Sequence, residues 1–133
     1  MSDARDLLDQ ARVVAERAYA PYSEFRVGAV VIDSDGRVFT GTNVENAAYG
    51  SGVCAETAAI VTAVSAGARQ IDTVAVACLD GGECAPCGNC RQVMREFGVK
   101  RIIMQNDDLE PVELSLEEML PKSFGPESLD AGP

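Results

Sequence analysis

Histidine is missing from all 133 residues of the chain. That absence removes Ser-His-Asp and Cys-His hydrolysis, imidazole metal ligands and any imidazole general base. Acid–base work must fall to carboxylates, lysine, tyrosine, cysteine or a metal-bound water. Tryptophan is missing too, yet 47% apolar and 24% charged residues make an ordinary globular composition. No long apolar run is present; the longest, around Val27–Ile32, falls far short of a membrane span. Met1–Asp6 lacks the pattern of a signal peptide, so a cytoplasmic protein is expected. Basic residues are scarce: 11 against 21 acidic ones give −10, with eight acids and one lysine in Asp107–Pro133 alone. Such a surface repels phosphate backbones and anionic membranes, which excludes nucleic acid and membrane partners and favours a small uncharged or cationic substrate.

Length allows one domain, residues 1–133, and is too short for two of ordinary size. A chain of this size buries roughly two-thirds of its unfolded surface, enough for a core without disulfide staples. Apolar residues at Leu7, Leu8, Ala11, Val14, Ala15 and Ala18 predict a helix over Ala4–Tyr19, with Asp3 as cap and Pro21 beyond its end. Strands are predicted at Arg26–Ile32 and Arg37–Thr42, joined by the hairpin turn Asp33-Ser34-Asp35-Gly36. After a polar loop, Asn43–Gly52, comes an alanine-rich helix, Cys54–Ala66, stopped by Gly67. Asp72–Leu79 is a strand, Cys87–Phe97 a helix, Lys100–Gln105 a strand, Pro111–Leu114 a fifth strand and Ser115–Leu120 a short helix. This order predicts a mixed five-stranded sheet covered on both faces, a three-layer α/β/α domain. The tail 126–133 is expected to order only by contact with something else.

Five cysteines, Cys54, Cys78, Cys84, Cys87 and Cys90, make an odd count that points to thiols or metal ligands. Cys54 and Cys87 each stand where a helix begins, where free N–H groups and the positive helix end favour thiolates. Cys87 and Cys90, three apart on a first turn, turn their sulfurs to one side, a chelating arrangement. If the two helix starts abut, Cys54 adds a third sulfur. Three protein ligands leave a fourth zinc position for water, the catalytic pattern, and Glu56 lies close enough to reach that water. Two other arrangements fit the same residues. Cys87-x-x-Cys90 after a strand matches a thioredoxin-like redox pair, which leaves Cys54 and Glu56 without a role. Cys84 joined to the other three would close a structural four-thiolate site, though it precedes Pro86 in a glycine-rich loop, off the helix. Cys78 reads as a small buried hydrophobe.

The combination Cys-x-Glu…Pro-Cys-x-x-Cys follows the zinc deaminase pattern. Further stretches extend it: Pro21-Tyr22-Ser23-x-Phe25-x-Val27-Gly28-Ala29, Asn43-Val44-Glu45-Asn46-Ala47-Ala48-Tyr49, Pro86-Cys87-Gly88-x-Cys90-Arg91-Gln92 and Leu120-Pro121-x-x-Phe124-Gly125. Together these resemble the short, homotetrameric cytidine deaminases, in order and spacing, from Pro21 to Gly125.

That resemblance implies a cytidine deaminase-like domain with one Zn²⁺ per chain on Cys54, Cys87 and Cys90. The implied reaction is hydrolysis of cytidine and 2′-deoxycytidine to uridine and 2′-deoxyuridine, in pyrimidine salvage. Glu56 would shuttle protons, and the Ala55 N–H would meet the pyrimidine O2. Carbonyls near Ala85 and Pro86 would receive the departing ammonia. Asn43 and Glu45 correspond to the family's ribose-binding pair, Phe25 to the aromatic on the base, and Phe124 to a residue reaching a neighbouring subunit's site. Apart from the resemblance, Asn43 and Glu45 are ordinary loop polar residues, Phe25 a core aromatic and Phe124 a pin for the tail. Nucleic-acid deaminases generally begin with His-Ala-Glu and need basic surfaces, which Cys54 and the net charge oppose. Blasticidin-S deaminase shares the cysteines, whereas the Asn43-x-Glu45 pair favours a free nucleoside. One position departs from the family. Three-cysteine members usually follow the glutamate with an arginine that hydrogen-bonds the thiolates, and here Thr57 stands there. Arg91 is therefore expected to supply the charge compensation at zinc.

Overall fold

The computed structural model describes residues 3–129. Its elements are α1 (Ala4–Ala15), β1 (Val27–Asp33), β2 (Val38–Thr42), α2 (Ala55–Ser65), β3 (Ile71–Cys78), α3 (Gly88–Glu96), β4 (Arg101–Gln105), β5 (Pro111–Leu114) and α4 (Leu116–Met119). The strands form one sheet in the order β2-β1-β3-β4-β5, antiparallel except for the β3–β4 pair. That parallel pair needs a crossover, and α3 is the helix on it.

Alternation along the strands feeds two cores. Val30 of β1, Ala75 and Ala77 of β3 and Ile103 of β4 pack with Leu7, Leu8 and Ala11 of α1. Ala29, Val31, Val74, Val76 and Ile102 point the other way, against Ala55, Ala59 and Ile60 of α2 and Cys90 and Met94 of α3. The sheet is thus covered on both faces, and the three-layer α/β/α expectation holds.

Two glycines set how closely the helices approach. A Cβ on Gly28 would lie 2.1 Å from Ala11 O in α1, and one on Gly41 would lie 2.4 Å from Ala59 N in α2. Backbone therefore rests on backbone at both places. Gly41 matters more for the site, because it seats the α2 segment that begins at Cys54.

The first helix is shorter than its periodicity predicts. It stops at Ala15, and the next N–H groups bond only three residues back, Arg17 to Val14 and Ala18 to Ala15. Tyr19 is already extended, exchanging bonds with Asn43 and Glu45, so pairing with a distant loop overrides the helical spacing. Asp3 stands at the N-cap without a side-chain bond, contrary to expectation. Ser115 does cap its helix, in a reciprocal box with Glu118. Arg37 belongs to the hairpin turn rather than to β2, its N–H bound to Asp33 Oδ1. Of the expected loose tail, Pro126–Leu129 forms a 3₁₀ turn tied by Glu127 to Arg95 at 2.8 Å, and positions 130–133 lie outside the described residues.

The end of β3 is fastened to the segment before β1. Asp80 accepts from the Arg26 backbone N–H and, on both oxygens, from its guanidinium. These bonds hold the Asp80 carboxyl down at about 2. A group depressed in this way stabilises the fold above its unfolded value, near pH ~4, and loses that contribution as pH falls through the folded value.

Two outcomes are expected. Gly41→Ala should lower stability by about 1–3 kcal/mol and reduce metal content, read by thermal melting and metal analysis, whereas Gly50→Ala, with open space around it, should change neither. Asp80→Asn should melt earlier than wild type above pH ~4, and the gap should close as pH approaches 2. A gap independent of pH would mean the ion pair is not its source.

Candidate metal centre and cleft

The starts of α2 and α3 lie side by side. Cys54 and Cys87 are their N-cap residues, both extended, and Cys90 follows on the first turn of α3. The Sγ atoms of Cys54, Cys87 and Cys90 all lie within 4.8 Å of one another. Cys54 Sγ and Cys87 Sγ are 3.7 Å apart. A tetrahedral site with Zn–S bonds of about 2.3 Å has an edge of about 3.8 Å, so these sulfurs already stand at zinc-binding separation. Cys84 is outside the group. It is buried, its backbone N–H is bound to Gln105 O, and burial pushes its thiol up. Among the described residues the sulfurs thus gather as three, matching neither a simple redox pair nor a closed four-thiolate site.

The Cys90 thiol is raised chiefly by its bond to Cys54 and further by burial, while the same bond lowers Cys54. Glu56 is 4% exposed, and burial pushes its carboxyl up; bonds from its own backbone and from Cys90 act in the opposite direction. A carboxyl so placed holds a proton more readily than one in water. It is one residue inside α2 from Ala55 and two from Cys54.

A cleft of about 620 Å³ opens over this floor, lined by Cys54, Ala55, Glu56 and Cys87 together with Phe25, Asn43 and Glu45. Asn43 accepts from Val27 N–H through Oδ1 and donates through Nδ2 to Phe25 O, fixing the strand that carries Phe25. Glu45 accepts from the N–H groups of Tyr22 and Ser23 and from the Ser23 hydroxyl, and that hydroxyl contributes most to lowering its carboxyl. Both residues are thus more than solvated loop polars. The Phe25 ring is partly exposed and close to Gly81, where an added Cβ would come within 2.8 Å of its Cε1. It lines the cleft instead of filling the core.

Other sequence-predicted residues sit elsewhere. Phe124 is 57% exposed and does not line its own chain's cleft; its carbonyl accepts from Gln92. Arg91 does not hydrogen-bond the sulfurs as expected. Its Nε donates to Pro86 O at 2.8 Å and its Nη1 to Met119 O at 2.9 Å, because the guanidinium spans from α3 to the end of α4. Pro86 O is therefore already engaged, and Ala85 is the other residue expected to meet the leaving group. The hydroxyl beside the sulfurs belongs to Thr57, 3.2 Å from Cys90 Sγ.

Sequence reasoning missed Gln105. It is fully buried, accepts from Arg12 Nη1 through Oε1 and donates to the carbonyls of Gly81 and Gly82. Arg12 also reaches Cys78 O. This network holds the loop between β3 and Cys84. The available signal was a polar residue ending an apolar strand, which demands buried partners.

No helix among the described residues is long and apolar enough to cross a membrane. The family described as "Cytidine and deoxycytidylate deaminase zinc-binding region" matches residues 1–106. A cytidine deaminase of Mycobacterium tuberculosis is 41% identical over 126 residues, covering 92% of this chain and 90% of that protein. One from Sporosarcina psychrophila is 38% identical over 129 residues, covering 96% and 95% respectively. The crystal structure of cytidine deaminase from Burkholderia pseudomallei superposes with a TM-score of 0.85 at 41% identity, covering 93% of this chain and all of that one. Zinc binding is part of the description of the matched family, and the three-sulfur cluster fits zinc as the cofactor. The chain therefore belongs to the short cytidine deaminases of the zinc-dependent nucleoside deaminase family, hydrolases that deaminate cytidine.

Proposed function

We propose that the chain hydrolyses both cytidine and 2′-deoxycytidine, giving uridine and 2′-deoxyuridine with release of ammonia, as a step of pyrimidine salvage in the cytoplasm. The active form is a homotetramer in which residues 1–133 of each chain make one domain. The observation that carries this reading is three sulfurs within 4.8 Å of one another, beside a buried carboxylate in one cleft. Zinc held by Cys54, Cys87 and Cys90 supplies the Lewis acidity that lets water act as a nucleophile near neutral pH.

The chain's own residues do the rest. Glu56 takes a proton from the attacking water and delivers it to ring N3 as the C4–O bond forms. It then takes the remaining proton of the hydroxyl now on C4 and passes it to the amine as the C4–N bond breaks, leaving the C4 carbonyl and ammonia. Its burial suits the task, since a carboxyl that holds its proton more readily can both accept and return one. The Ala55 N–H, in the first turn of α2, is among the donors that a helix start leaves without an intrahelical partner, and it binds the pyrimidine O2. Phe25 packs on the base, and Asn43 and Glu45, already fixed by their backbone bonds, meet the sugar hydroxyls. Phe124, exposed and away from its own cleft, reaches a neighbouring subunit's cleft. Arg91 brings positive charge to the loop before Cys87 through Pro86 O and compensates the thiolates through space.

The direct experiment follows the fall in ultraviolet absorbance with cytidine, deoxycytidine, cytosine and blasticidin S, alongside zinc analysis. Loss of absorbance with the two nucleosides and not with cytosine supports the reading; turnover of blasticidin S alone overturns it. Glu56→Gln should retain zinc and fold while losing at least ~10²-fold in kcat. Near-normal turnover in that variant would assign the proton transfers to another group. Cys84→Ala should keep one zinc per chain and nearly normal activity, since its sulfur lies outside the cluster. Metal loss there would identify a four-thiolate site.

A further inference from the structure

Two threonines of α2 use their hydroxyls differently. Thr62 donates to the carbonyl four residues back, Ala58 O, at 2.7 Å, the ordinary resting place of a helical threonine. Thr57, in the first turn, is placed 3.2 Å from Cys90 Sγ on the other helix. A sulfur that ligates zinc carries no proton, so the hydroxyl is the donor of that pair. Cys90 is wholly buried, and no water reaches it to share the load. Among the described residues, the remaining contacts of the three sulfurs are with one another, with the Glu56 carboxyl at Cys90, and with the Cys90 backbone N–H, which donates to Cys87 at 3.5 Å. The nearby cation, Arg91, is turned to the carbonyls of Pro86 and Met119. Cys54 is half-buried and Cys87 exposed, so Cys90 is the sulfur of the three that solvent cannot screen, and a neutral hydroxyl stands beside it.

We propose that Thr57 is a positioning residue of the metal centre: its hydroxyl donates to Cys90 Sγ, fixes that ligand's orientation across the α2–α3 contact and withdraws electron density from the sulfur. Bonds of this kind, one shell outside the metal, typically change affinity or activity about 10–100-fold when removed. The inference rests on the reading that Cys54, Cys87 and Cys90 hold the metal.

The test replaces zinc by cobalt(II) in the full-length protein and records the sulfur-to-cobalt charge-transfer band. Thr57→Val keeps the shape and loses the hydroxyl; Thr57→Ala loses the hydroxyl without adding an apolar methyl in its place. In both, the unbonded sulfur holds its electrons less tightly, so the band should move to longer wavelength. With zinc, kcat should fall about tenfold or more while KM stays within about twofold. Thr57→Ser restores the donor and should restore both band and kcat. A band at the wild-type position in Thr57→Val and Thr57→Ala, with kcat unchanged, overturns the inference. So does a shifted band in Thr57→Ser, which would assign the effect to packing of the methyl group. A wild-type protein that shows no charge-transfer band fails earlier, at the metal site itself, and the two failures are thereby distinguished.

Discussion

Two helices must begin at the same place, and most of the fold can be understood as the means of making them do so. The start of α2 is set from below by β2, where Gly41 allows strand and helix backbones to touch. The start of α3 is set by the crossover that the parallel β3–β4 pair requires. Neither helix alone offers more than two sulfurs. Brought together they offer three, each at or within the first turn of a helix. Their positive ends and free N–H groups partly offset the repulsion that three thiolates beside a buried glutamate would otherwise feel.

The cleft walls are loops, and they owe their shape to side chains bonding backbone. Asn43 ties Phe25 to Val27, Glu45 folds the Tyr22–Ser23 turn, Asp80 holds Arg26, and Gln105 clamps Gly81 and Gly82. Each meets the demand that backbone donors and acceptors find partners where no regular structure provides them. Asn43 and Glu45 therefore serve the protein before they serve any ligand.

How much of this could be read beforehand depended on range along the chain. Strands β1, β3 and β4 were legible from their apolar runs, and the cysteines from their spacing beside Glu56. The helix starts at Cys54 and Cys87 were legible because the change from loop to alanine-rich or polar-amphipathic sequence is local. Where distant segments decide, the reading failed. Tyr19 left the helix because Asn43 and Glu45 pair with it. Asp3 kept its position and did not cap. Arg91, adjacent to a ligand in sequence, turned to Met119, 28 residues away, while Thr57, 33 residues from Cys90, became its neighbour. Gln105 and Arg12 are separated by 93 positions, and their bond has no local signature at all.

Cys87 occupies two offices at once. As the N-cap of α3 its sulfur accepts the Cys90 N–H, the service a serine or aspartate oxygen usually performs, and the same sulfur belongs to the cluster that could hold the metal. The start of α3 and the candidate metal site therefore share one atom. An ion held by Cys87 would share an atom with the first turn of α3, so metal binding and the ordering of that turn would be coupled.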